Sequence, residues 1–244
     1  MKRATLRKFA IVMSLLVACA LVVPAAMADT LATSCVANTC TVTGTNSQGL
    51  PVNATATFVF GAGTVTVTLQ NNISQATMTS VSQAITGLYF TLSNGATSGT
   101  LTSSLGTETN IDASKNAVLA GAVSTGWTTE SFPAGFIHLC LICNGGNPLS
   151  PPIHAIIGGS GSGSYPSANG SLAGNVHNPF LVGSVSFTLN VTGVTANTTL
   201  GQVFIQFNTD ITSPTPPVPE PTSMALLGTG LVGLAGAIRR KFRN

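Results

Sequence analysis

The chain has 244 residues, enough for one large β domain or two small ones, with 9 Lys and Arg, 6 Asp and Glu and a formal net charge of +3. The cations cluster at the two ends (Lys2, Arg3, Arg7 and Lys8; Arg239, Arg240, Lys241 and Arg243), leaving Lys115 alone between them against Asp29, Glu108, Asp112, Glu130 and Asp210 of the body and Glu220 of the tail. A body so poor in cations cannot neutralise a run of phosphates, which excludes nucleic acid as a partner.

In chain order, MKRATLRK is a basic n-region, FAIVMSLLVACALVV an apolar h-region and Ala26-Met27-Ala28 a small-residue cleavage pattern. Residues 1–28 therefore read as a secretory signal peptide, cut by signal peptidase at Ala28 to leave Asp29 as the first mature residue. Leu16-Val17-Ala18-Cys19 resembles a lipobox, which would put a lipid on Cys19, but the apolar run continues past it to the ordinary cleavage site.

The mature chain keeps Cys35, Cys40, Cys140 and Cys143. An even count in an exported protein reads as disulfides, with the local pairs Cys35–Cys40 and Cys140–Cys143 favoured among three connectivities. A zinc site drawn from SCVANTC, HLCLIC and His138 is the alternative, disfavoured by the oxidising compartment and the long separation of the two pairs. No helix pattern follows Cys140 and Cys143, as a redox motif needs, and no His follows Cys143, as haem attachment needs. No metal and no cofactor is expected.

Residues 29–210 form the body. Alternation of threonine with apolar residues marks strands at Ala56–Phe60, Thr64–Leu69, Ser184–Val191 and Gln202–Phe207. Leu88–Leu92 and Gly135–Leu139 are shorter candidates, and Gly61-Ala62-Gly63 supplies a hairpin turn. β-Branched residues suit a pleated surface, so the body is predicted to be all-β, an antiparallel sandwich of Ig-like or jelly-roll-like kind. The stretch Thr107–Lys115 reads as a polar turn or a short helical start, and the Gly/Ser-rich stretch from Gly158 to Asn175 as a flexible loop. That loop lacks the Lys-Ser/Thr and the following helix of a phosphate cradle.

Catalytic chemistry is not visible, and no catalytic residue is expected. Glu108 and Asp112 are near enough in sequence to share a site, but solvated charge is the simpler reading. His138, His154 and His177 have no Gly-x-Ser-x-Gly elbow to serve, and His154 lies in an apolar run as a wall residue. Trp127 or Tyr165, if exposed, would stack on a sugar ring, so a carbohydrate-binding surface module is the second functional reading. A secreted hydrolase is the third.

After a Pro-rich linker at 211–217, residues 218–244 form a tail: Val218-Pro219-Glu220-Pro221, an uncharged stretch at 222–238, and a basic end. As a helix the middle part spans roughly 25 Å at ~1.5 Å per residue, slightly short of a ~30 Å hydrocarbon core. Arg239, Arg240, Lys241 and Arg243 stop translocation and keep the end cytoplasmic, so the inner membrane is a partner of the tail, and a plain single-pass anchor is the simplest alternative.

Those three parts in that order resemble the PEP-CTERM sorting signal. The resemblance covers about the last 27 residues and implies recognition of Val218, Pro219, Glu220 and Pro221 by an exosortase, a membrane enzyme of Gram-negative bacteria that make extracellular polysaccharide. It implies cutting near that motif after a transient membrane anchorage, then release to the cell surface or extracellular matrix. The combined expectation is a structural or adhesive protein of a biofilm matrix, with exopolysaccharide as its neighbour.

Overall fold

The computed structural model describes residues 30–143, 153–174 and 177–208. The signal peptide, the linker and the sorting tail with its expected span at 222–238 lie outside the described residues. Among the described residues, no helix is long and apolar enough to cross a membrane.

The described chain is all-β. Strands β1 (Thr30–Ala32), β2 (Ser34–Val36), β3 (Thr39–Thr45), β4 (Pro51–Gly61) and β5 (Thr64–Asn71) come first. A single 3₁₀ turn at Val81–Gln83 precedes β6 (Ile85–Leu92). There follow β7 (Thr100–Ile111), β8 (Asn116–Val123), β9 (Thr128–Glu130), β10 (Ile137–Cys140), β11 (Gly163–Ser164), β12 (Phe180–Asn190) and β13 (Leu200–Phe207). They make two antiparallel sheets, one ordered β1-β13-β6-β10-β9 and the other β11-β8-β7-β12-β5-β4-β3-β2.

Alternation decides which side chains meet. In β5, Val65, Val67 and Leu69 are fully buried while Thr66 and Thr68 face outward, as a period of two requires. One apolar cluster draws on both sheets. Phe58 of β4 meets Phe90 of β6 edge to face at 5.3 Å, and Trp127 packs on Phe187 of β12 at 5.0 Å.

The sheets are also joined through the backbone. Ile156 bridges Ile85 at the start of β6 and Leu181 in β12, so residues 155–157 stitch one sheet to the other. The buried Asn71 secures this stitch: its amide donates to Gln83 O at 2.8 Å and to Ile156 O at 3.1 Å, while its Oδ1 accepts from Ile73 N. At the N-terminus the chain changes sheet in one step, β1 pairing with β13 and β2 with β3, and Thr33 donates twice to Val203 O at the crossing. Cys35 and Cys40 are disulfide-bonded across the β2–β3 pair.

Two local expectations are corrected. Thr107–Lys115 holds no helical start: Thr107 to Ile111 complete β7, and the Asp112 carboxylate accepts from Asn116 N at 2.8 Å to close the β7–β8 turn. The Gly/Ser-rich stretch is a loop, yet a packed one. Tyr165 is fully buried and donates to Gly158 O, and burial pushes its phenol up to about 12. Gln75 donates to both Ser162 O and Ser164 O at 2.8 Å, and β11 pairs with β8. Gly158 has to be glycine, because a Cβ there would run into the carbonyl of Ile73.

Replacing Asn71 with Ala removes two buried donors and one acceptor, and is expected to lower stability by about 2–4 kcal/mol. Gln70→Ala, at the exposed neighbouring position, should cost under ~0.5 kcal/mol. Equilibrium denaturation of the two variants checks the difference.

Candidate functional site

Phe90 points into the core, so its neighbour Tyr89 and, two residues back, Gly87 face the opposite side of the five-stranded sheet. Ladder register sets their neighbours on that face: His138 opposite Tyr89, Cys140 and Gln206 on either side of Gly87, and Phe204 beside Tyr89. The hairpin of β9 and β10 places Glu130 next to His138.

These residues form a buried polar network. His138 stacks on Tyr89 at 3.8 Å with the planes 11° apart, and its Nδ1 lies 2.7 Å from Glu130 Oε1. His138 is 1% exposed, and burial lowers its pKa against the opposing pull of Glu130. The neutral ring donates Nδ1–H to the carboxylate, which leaves Nε2 with a lone pair. Nε2 has no hydrogen-bond partner. Gln206 Oε1, which also lies over Gly87, accepts from the Tyr89 hydroxyl at 3.4 Å. Burial, and then the Glu130 charge, raise the Tyr89 pKa, so the phenol stays a neutral donor. Glu130, His138 and Cys140 bring donor atoms within 4.8 Å of one another, with Cys140 bonded to Cys143.

A second pair was not anticipated. Glu108 does not join Asp112; it accepts from His154 Nε2 at 2.9 Å, and His154 Nδ1 lies 3.0 Å from Thr125 O. Both ring nitrogens thus lie against acceptor oxygens. His154 sits at φ 69°, a left-handed conformation costly for a side-chain-bearing residue. The surroundings hold it there: His154 N donates to Pro179 O at 2.7 Å, and Trp127 Nε1 donates to His154 O at 3.1 Å. This arrangement ties β7 and the segment before β9 to the stitch. It leaves no ring position to activate a nucleophile.

Placement of the remaining candidates follows. His177 is half-buried in the turn before β12. Lys115 donates to Pro166 O at 3.1 Å. The two sugar-stacking candidates are not available, since Trp127 is 4% exposed and Tyr165 fully buried; both rings fill the core. Cys35–Cys40 and Cys140–Cys143 are both bonded, and they lie in different sheets, so no four-thiolate site assembles from them. Asp210, the cleavage residues Ala26 and Ala28, the motif Val218–Pro221 and the terminal cations lie outside the described residues. Sequence reasoning missed both Glu–His pairs. The hairpin pairing of β9 with β10 was the only signal for Glu130–His138, and no spacing rule links Glu108 to His154, 46 residues on.

Comparison with known proteins adds one finding about the tail. The family model described as the PEP-CTERM protein-sorting motif matches residues 217–241. No curated protein and no solved structure matches the chain. The match spans Pro217 to Lys241, and so takes in the Pro-Glu-Pro triplet, the apolar stretch and the first three terminal cations. The chain thus carries a PEP-CTERM protein-sorting motif, which indicates an exported protein sorted by an exosortase.

Proposed function

We propose that the body is a structural or adhesive element of the cell surface or extracellular matrix, without enzymatic activity of its own. The observation that carries this is the sorting motif at 217–241. It implies membrane association at the C-terminus, processing by exosortase and delivery to the surface. We read the body as a β-sandwich, supported by the shared core and the Phe58–Phe90 contact between the sheets.

The chemistry of the body supports a passive role. Glu108 and Glu130 are each engaged by a histidine, Asp112 closes a turn and Lys115 holds a loop carbonyl. The charged groups of the described body thus hold the fold. Its outer surface carries rows of hydroxyls among exposed apolar side chains: Thr39, Thr57, Thr68 and Ser186 stand in one row across β3, β4, β5 and β12, and exposed Leu105 of β7 continues it. Such a surface is wetted without carrying charge, as suits a component packed among neutral, hydroxyl-rich polymers.

Replacing Pro219-Glu220-Pro221 with alanines should leave the precursor uncut, at its unprocessed C-terminal mass, while the far-ultraviolet spectrum of the body stays unchanged. Recovery of mature wild-type protein that still ends at Arg239 to Asn244 would sink the sorting claim and leave a plain anchor.

Glu108→Gln exchanges the carboxylate partner of His154 for an amide and is expected to lower stability by about 1–3 kcal/mol, read by thermal unfolding. Hydrolysis of a polysaccharide or ester substrate by the wild-type body, lost in this variant, would overturn the non-enzymatic reading.

A further inference from the structure

The polar cradle over Gly87 has no role in sorting or in the fold's core. His138 Nε2 is buried without a hydrogen-bond partner, and the Gln206 side chain presents Oε1 over the same glycine. A donor or a cation is what such a site lacks. On one side of Gly87 the ladder places Cys140, and the donor atoms of Cys140, His138 and Glu130 already lie within 4.8 Å of one another. Cys143 Sγ is bonded to Cys140 Sγ and is therefore at the same place. Tetrahedral zinc sets its thiolate and imidazole ligands at ~2.0–2.3 Å from the metal, so the two sulfurs have to separate after reduction to close on one ion with the imidazole.

The imidazole is also prepared in the way zinc ligands are. Glu130 takes the Nδ1–H and fixes the tautomer, which directs the Nε2 lone pair over Gly87. A carboxylate behind a metal-binding histidine orients the ring and raises its basicity. Stacking on Tyr89 locks the ring plane.

We propose that reduction of Cys140–Cys143 converts this cradle into a zinc site, with Cys140, Cys143 and His138 Nε2 as ligands, Gln206 Oε1 as the fourth donor and Glu130 as the positioning carboxylate. The disulfide takes two electrons from a dithiol reductant: the S–S bond breaks, two thiols form, and the reductant leaves as its own disulfide. Zinc then binds the two thiolates and releases their two protons. Cys143, at 8% exposure against none for Cys140, is the sulfur a reductant meets first. The bonded pair is the closed state, and the open state exists only where a thiol reductant is supplied.

The test uses the full chain carrying Cys19→Ser, Cys35→Ser and Cys40→Ser, so that Cys140 and Cys143 are the only cysteines left. Cobalt(II) is titrated before and after reduction, and thiolate-to-cobalt charge transfer and tetrahedral d–d bands are followed. One cobalt per chain after reduction, none before, and displacement by zinc are expected. In the same background, His138→Gln should abolish the tetrahedral spectrum, and Glu130→Gln should weaken binding about 10–100-fold. Circular dichroism reports that each variant retains its strands, and a thiol assay reports complete reduction. A fully reduced, folded chain without a tetrahedral cobalt spectrum overturns the proposal. So does a spectrum that survives His138→Gln, since the thiols alone would then account for it.

Discussion

The structure depends on one short piece of backbone. Residues 155–157 hydrogen-bond to β6 of one sheet and to β12 of the other, so the two layers are joined by polar contacts as well as by shared apolar area. Apolar packing is non-directional and would allow the layers to slide. The stitch fixes their offset, and Asn71, Trp127 and His154 all act on it or on the residue before it. The left-handed backbone at His154 is the local cost of that join, and four surrounding contacts hold it in place: those to Thr125, Glu108, Pro179 and Trp127.

A body with one lysine cannot guard its sheet edges with charge, which is a common defence against edge-to-edge association. Here the edges are kept short. The four edge strands, β1, β2, β9 and β11, have 3, 3, 3 and 2 residues. The β2 edge is further fixed by Cys35–Cys40, though Val36 on it is 80% exposed. The same scarcity of charge leaves the broad threonine face neutral, so association through that face has to use hydroxyls and methyl groups.

The parts legible in the sequence are those set by local pattern. Alternation located β5 nearly to its ends and β12 from Ser184 on, because a half-buried strand writes its period directly into the chain, whereas β13 is buried without a break from Val203 to Phe207. β7 and β8 were missed because serine, glycine and alanine on exposed positions carry little hydrophobic contrast: β8 reads NAVLAGAV with Val118 and Leu119 outward. The Gly/Ser-rich loop looked mobile since its order comes from Gln75, 85 or more residues away. Trp127 and Tyr165 could be placed only by tertiary packing. The Glu–His pairs share that limit, since antiparallel strands bring together residues that sequence separation does not relate.

The tail and the body differ in kind for the same reason. A sorting motif is read as a linear chain by an enzyme: the Pro-Glu-Pro triplet, an apolar stretch and a basic end follow one another in order. All of its information is local, so the sequence suffices to recognise it. A site in the body depends on register. His138 meets Cys140 and Gln206 over Gly87 only because β10, β6 and β13 pair with one offset. A slip of one residue in β10 would turn His138 toward the core and Cys140 away from Gly87. The stitch at 155–157 closes one end of β6 at Ile85, and the Asn208 carbonyl accepts from Thr86 beside it. The device that holds the sheets together thus lies next to the strand that determines which polar atoms meet above Gly87.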